Sequence, residues 1–439
     1  MTPLAFIHDL TWADLPDDVR DRISLHLLDL IGVAAGGLGT DLSHIIRAHA
    51  AAQFGGARPL LFDGRGASAS GVALAAGMTI DALDSHDGYN PTKGHLGCPV
   101  LPALLALAPA DLSGPEALTA LCMAYEFGAR AAVAQHGTVS DYHTSGSWGA
   151  VAAAAIGARL LRLDAAQTRH ALGIAEYHGP RSQMMRCIDH PTMVKDGSGW
   201  GAMAGVSAAL LARDGFTGAP AITVEEAPDY WEDLGQTWIV PRQYFKPWPV
   251  CRWAQAPVEA VLALRAAHDL TSDDVAQLEV WSFHEATRLA TRRPETTEAA
   301  QYSTSFPCAV AMVHGEIAPE HIMGAALQDR DVLRLSDAMT FHEDADANEM
   351  FPRERIARVR LTLHNGRQVE SGWARPKWDW QDAPSAQDIS AKFHALADPV
   401  LGHVRAREIE QAVAELASGR WSRLAGLLSA APQHALSAE

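Results

Sequence analysis

Trp148-Gly-Ala-Val-Ala-Ala-Ala-Ala-Ile-Gly-Ala-Arg-Leu-Leu161 is built mostly of alanine and glycine. Alanine gives up no rotamer freedom in a helix, so the run reads as helical. Its short side chains let other helices approach closely, which predicts a helix buried among helices. The same texture recurs at Gly71–Leu83, Leu101–Leu107, Pro115–Ala132, Thr168–Tyr177 and Trp200–Ala212. Nearer the start, Leu15-Pro16-Asp17-Asp18 sets proline and acids at a helix start, and Ile23–Gly37 continues as a buried helix. Gly197, Gly201 and Gly205 fall four apart and predict a flat helix face for close packing.

The texture changes near Trp238–Trp253. Beyond it, Gln277–Phe283 and Ile356–Leu363 alternate in period two, as half-buried strands do. His364-Asn365-Gly366-Arg367 is an Asn-Gly turn, so Ile356–Leu363 and Gln368–Trp373 form a hairpin. Helices are expected at Ala256–His268 and Ser305–His314, and again in the tail at Ala386–Leu396 and Arg405–Leu416. The fold class is therefore mainly α with an α+β part. A large helical domain spans 1–250, a smaller α+β lid spans 251–391, and 392–439 returns to the helices.

Composition narrows the function. A chain of 439 residues with 48% hydrophobic and 20% charged residues is a folded globular protein, and two domains are the default. A formal net charge of −17 argues against nucleic acid, which needs a basic face. The five cysteines (98, 122, 187, 251 and 308) are scattered, so neither a disulfide framework nor an iron–sulfur cluster is expected. Met1–Asp9 lacks a basic n-region, and no apolar run reaches the roughly 20 residues of a spanning helix. The expectation is a cytoplasmic protein without a membrane partner.

Chemistry concentrates at loop–helix junctions. The first is Asp84-Ser-His86-Asp87-Gly88-Tyr89-Asn-Pro-Thr-Lys93-Gly94-His95-Leu-Gly97-Cys-Pro99, a polar loop between an apolar helix and one starting near Pro99. His95 and Gly97 would sit just before a helix N-terminus, where anions bind. The second junction is Asp141-Tyr142-His143-Thr144-Ser145-Gly146, whose imidazole stands ahead of helix amides and stays neutral, as a general base should. The third, His190-Pro-Thr-Met-Val-Lys195-Asp196-Gly197, brings a lone lysine against a small-residue helix. The fourth, Tyr244-Phe-Lys246-Pro-Trp-Pro-Val-Cys-Arg252-Trp253, sets two cations among aromatics at the domain boundary. Asp84, His86, Asp87 and His95 meet no fixed metal-ligand spacing, so no metal is expected. No dinucleotide fingerprint, P-loop or Gly-x-Ser-x-Gly elbow occurs in its proper context, so no cofactor is expected.

These four segments, in this order, resemble the MmgE/PrpD family of dehydratases, decarboxylases and epimerases. The resemblance is carried by Asp84, Asp87, His95 and Val100–Pro102, by His143, Gly146 and Gly149, by Lys195, and by Phe245–Arg252. It implies a helical domain with a smaller lid, a homodimer, and a cleft holding Asp84, His95, His143, Lys195 and Lys246. Departures fall on substrate-reading positions. Gly88 stands where the family's decarboxylase has threonine, Phe306 where the lid helix has tyrosine, and Gln255 where a histidine is common. Tyr142 is the substitute hydroxyl.

Abstracting a proton α to a carboxylate needs a positioned base and cations facing the developing charge. His95 and His143 are expected to flank a small di- or tricarboxylate as base and acid. Lys195, Lys246 and Arg252 would pair its carboxylates, Asp84 would orient an imidazole, and Gly88 would mark altered substrate choice. A lyase leads this reading. A two-sided histidine pair also fits an epimerase of a dicarboxylate such as iminodisuccinate, and a binding protein without turnover would need only the cations.

Overall fold

The computed structural model describes residues 1–432, so residues 433–439 of the predicted return lie outside the described residues. Helices form where alanine and caps favour them. The Gly146–Leu160 helix packs against the helices Gly114–Thr138, Ala165–His178, Ser198–Arg213 and Gly97–Leu107. Ser113, Asp164 and Ser385 cap helix starts by accepting backbone N–H groups two or three residues into the helix, as short polar side chains do.

Glycine is required at the helix contacts by close approach. A Cβ on Gly205 would lie 2.2 Å from the Ala150 carbonyl oxygen, and one on Gly201 would lie 2.3 Å from that of Gly146. The flat face is thus made by Gly201 and Gly205 meeting the Ala-rich helix. Gly197 differs from the expectation: it lies before the helix, at φ 67°, and ends a turn rather than lining a face.

Two apolar cores result. The first joins residues between Phe6 and Phe245 to Ile389, Phe393, Leu396 and others from the C-terminal helices. The second runs from Val250 to Val369 around a four-stranded sheet. A short pair, β1 (Arg58–Pro59) and β2 (Gly66–Ala67), precedes it. The sheet itself holds β3 (Val275–Ser282), β4 (Met339–Glu343), β5 (Arg358–Leu363) and β6 (Gln368–Glu370), in the order β4-β3-β5-β6. β5 and β6 form the antiparallel Asn-Gly hairpin, with Leu361 opposite Val369. β4 pairs parallel to β3, Met339 opposite Leu278. Sequence reading missed β4, because five residues with weak alternation become a strand only through tertiary pairing. It also missed the helices Asp41–Gln53 and Trp421–Ser429. Among the described residues no single helix is long and apolar enough to cross a membrane.

Substituting Gly205→Ala should cost about 1–3 kcal/mol, the usual penalty of overpacking. A lowered thermal midpoint would show it, and an unchanged midpoint would contradict the close helix contact.

Candidate active site

The 82–96 segment is held from below by Asp87. One carboxylate oxygen accepts the Gly97 N–H at 3.1 Å, and the other accepts the Tyr125 hydroxyl and lies 2.9 Å from His26 Nδ1. The helix N-terminus expected to bind a substrate anion is therefore occupied by the protein's own carboxylate. The helix also starts at Gly97, ahead of Pro99. The Asp87 carbonyl oxygen accepts from His95 Nδ1 at 2.6 Å. A carbonyl only accepts, so Nδ1 carries the proton and Nε2 presents a lone pair. Burial, reinforced by the Lys246 charge, pulls the His95 pKa down to about 4. His95 is a neutral base with a fixed tautomer.

Nε2 lies between two carboxylates, 3.7 Å from Asp84 Oδ1 and 3.6 Å from Asp196 Oδ2. Asp84 is ion-paired with the buried Lys246 ammonium, which also donates to the Asp84 carbonyl at 3.1 Å. Burial alone would raise the Asp84 pKa, but Lys246 holds it well below the usual carboxylate range. Gln301 ties this pair to the third cation. Its Oε1 accepts the Asp84 N–H at 2.8 Å and the Lys195 ammonium at 2.7 Å. Lys195 Nζ also stands 4.6 Å from the centre of the Tyr302 ring.

Asp84 and His95 line a small, partly open cavity of about 20 Å³, room for about one water, so a polycarboxylate enters only if the wall moves. Its cations are Lys93, Arg252 and Arg355. Arg355 is fixed by Asn90 Oδ1 at 2.7 Å and by the Pro352 carbonyl at 2.8 Å. Arg252 donates to Asp379 at 2.9 Å and stacks 4.0 Å over the Tyr244 ring. Lys93 stands 4.4 Å over the Tyr142 ring, and burial lowers its pKa. Lys93 and Lys195 both have left-handed backbones, φ 53° and 47°, a strained conformation for a side-chain-bearing residue.

The expected residues are therefore divided. Asp84, His95, Tyr142 and Arg252 line the cavity. Lys246 does not; its charge is committed to Asp84. Lys195 is not on the cavity wall; its ammonium stands against the Tyr302 ring, and the residue borders a separate groove of about 490 Å³ together with Arg186 and Trp200. Gly88 touches no open space, because a Cβ there would fall 2.3 Å from the Tyr244 hydroxyl and 2.8 Å from the Gly94 carbonyl. It makes room for Tyr244, which itself lines the cavity. His143 is absent from the cavity wall and pairs its backbone with Gln183. Its pKa is lowered by burial and by Arg181, not mainly by helix amides as expected. Phe306 is buried in the second core, while Tyr302, four residues earlier, lines the cavity and sets its hydroxyl against Asp196. Sequence reading missed Lys93, Tyr244, Asp196, Tyr302 and Arg355 as site residues. Asp196 had one signal, its place beside Lys195 in the Lys-Asp-Gly turn.

Asp84, His86 and His95 offer ligand atoms within 4.8 Å of one another, as a metal site would. A cation there would have to displace the Lys246 ammonium from Asp84 and meet its charge. The donor set is better matched to protons than to a metal.

The arrangement is a lone-pair histidine over a buried acid–lysine pair, in the wall between a helical and an α+β core. Family models for the MmgE/PrpD N-terminal domain and C-terminal domain match residues 4–228 and 248–418. The chain belongs to the MmgE/PrpD family. It is also 25% identical, over 97% of its length and 96% of the relative's, to a cis-aconitate decarboxylase-like protein, oryM, of Aspergillus oryzae.

Lys246→Met should destabilise the fold by about 3–5 kcal/mol, because it leaves the Asp84 carboxylate buried and uncompensated. Denaturant unfolding measures this, and a loss below about 1 kcal/mol would show the pair to be dispensable.

Proposed function

We propose that the protein is a lyase that removes water from a small hydroxylated di- or tricarboxylate. The observation that carries this reading is His95. Its Nδ1 proton is locked on the Asp87 carbonyl, which leaves Nε2 with a lone pair, and the side chain lines a cavity together with Lys93, Arg252 and Arg355. The three cations suit the carboxylates of the substrate and the charge that develops when its Cα proton leaves. His95 Nε2 takes that proton, the C–H electron pair forms the double bond, and the hydroxyl departs with the C–O pair. His143 stands off the cavity, which favours one-sided elimination over two-base epimerisation. The free small-molecule substrate, the homodimer and the cytoplasmic setting belong to the same proposal.

Decarboxylation is the second reading, favoured by the name of the Aspergillus relative. The electron pair left by CO2 would then be protonated by the same group of residues. Proton NMR of citrate, malate and cis-aconitate incubated in deuterated water separates the possibilities. Dehydration gives alkene signals from a hydroxy acid, decarboxylation consumes cis-aconitate with release of CO2, and label gain at Cα without alkene sinks both.

His95→Ala should lower turnover by about 10²- to 10⁴-fold without unfolding the protein. Near-full activity in that variant would remove the assignment. The acidic limb of kcat/KM should lie near pH 4, where Nε2 becomes protonated and can no longer accept. Activity is then flat from about pH 5 upward on this limb, whereas a limb near 6.5, the ordinary histidine value, would contradict the buried neutral base.

A further inference from the structure

Asp196 is a buried acid without a cation. Its Oδ2 accepts the Ser145 hydroxyl at 2.8 Å and lies 3.6 Å from His95 Nε2. Its Oδ1 lies 3.2 Å from the Tyr302 hydroxyl oxygen, and Tyr302 lines the cavity. Among the described residues no ammonium or guanidinium is ion-paired with it. Lys246 is held by Asp84, and Lys195 by Gln301. The ionisable groups around it are His95, Asp81, Asp84, Tyr302, Tyr142, Cys98, Cys187 and Cys251. A carboxylate buried among like charges, with only hydroxyls to bond it, is neutralised by a proton. Burial raises the Asp196 pKa; His95 and the Ser145 bond oppose that, while Asp81 and Asp84 add to it.

We propose that Tyr302 is the catalytic acid of the elimination and that Asp196 returns the proton from His95 to it. The proposal rests on the dehydratase reading above. With Asp196 protonated, its O–H donates to the Tyr302 oxygen, and the phenol proton is free for the cavity. His95 Nε2 takes the Cα proton first and leaves its electron pair as an enolate-like anion beside the cavity's cations; that pair then forms the double bond as the C–O bond breaks. Tyr302 gives its proton to the departing oxygen, which leaves as water, and Asp196 gives its proton to the Tyr302 oxygen. The new Asp196 carboxylate then faces the His95 imidazolium, recovers a proton from Nε2, and a half-turn of the carboxyl group resets the cycle. The substrate has lost H and OH, and the protein has gained and lost nothing. Asp196 touches no substrate and is a positioning residue. The circuit explains how one imidazole serves where two were expected.

Two readouts test it. Infrared spectra of protein labelled with 13C-aspartate, recorded without ligand at pH 7, should show the C=O stretch of a protonated carboxyl. Burial also raises the pKa of Asp29 and Asp81, so the assignment is read from difference spectra: a protonated-carboxyl band should be lost on going to Asp196→Asn and kept in Asp81→Asn. A spectrum unchanged by Asp196→Asn, or loss of that same band in Asp81→Asn, overturns the assignment. In deuterated water with citrate as the probe, Tyr302→Phe and Asp196→Asn should keep deuterium entry at Cα but lose alkene formation by about 10²-fold, with KM little changed. Asp196→Glu should restore part of that loss, which a merely structural role would not explain. Alkene formation at the wild-type rate in both variants would also overturn the circuit. Deuterium entry that survives His95→Ala would instead sink the dehydratase reading, while the infrared result would stand on its own.

Discussion

Asp84 and Lys246 lie 162 residues apart in sequence and meet as a buried ion pair. Taking two charges out of water costs several kcal/mol per ion, and only close mutual contact offsets it. The pair therefore fixes where the 82–96 segment touches the chain entering the second core. Gln301 extends the constraint, since one amide oxygen holds both the Asp84 N–H and the Lys195 ammonium. The helical core, the lid and the site are thereby set by one electrostatic requirement.

The same requirement sets the chemistry. Lys246 neutralises Asp84, and burial together with the Lys246 charge keeps His95 unprotonated. The Asp87 carbonyl chooses the tautomer. Asp87 itself is pinned by Tyr125 and the Gly97 amide, which trace to the Ala-rich helices. Small residues allow those helices to approach, the approach places Asp87, and Asp87 aims the base. The site is an outcome of helix packing more than of any loop.

Much of the fold was legible because alanine texture, period-two strands and the Asn-Gly turn act locally. Ser305–His314 falls where its apolar run begins and ends, whereas β4 needs its neighbour β3 to exist. The site was legible in part. Asp84, His95, Tyr142 and Arg252 sit in quotable motifs and do line the cavity. Side-chain placement was not legible: nothing local shows that Lys246 turns to Asp84, or that His143 stays off the cavity wall. Arg355 lies in Pro352-Arg-Glu-Arg355, a stretch with no motif, and reaches the cavity only because the lid folds over Asn90. Gly88 was singled out as a departure at a substrate-reading position; in the structure Tyr244 packs against it.

The central claim is that His95 Nε2 acts on a carbon next to a carboxylate held by Lys93, Arg252 and Arg355. A crystal structure with citrate bound tests it most directly. The proposed chemistry requires carboxylate oxygens on those three cations and a substrate Cα about 3–3.5 Å from Nε2, on the lone-pair side of the ring. Citrate seated instead in the groove beside Arg186 and Trp200, with Nε2 facing no carbon, would contradict it.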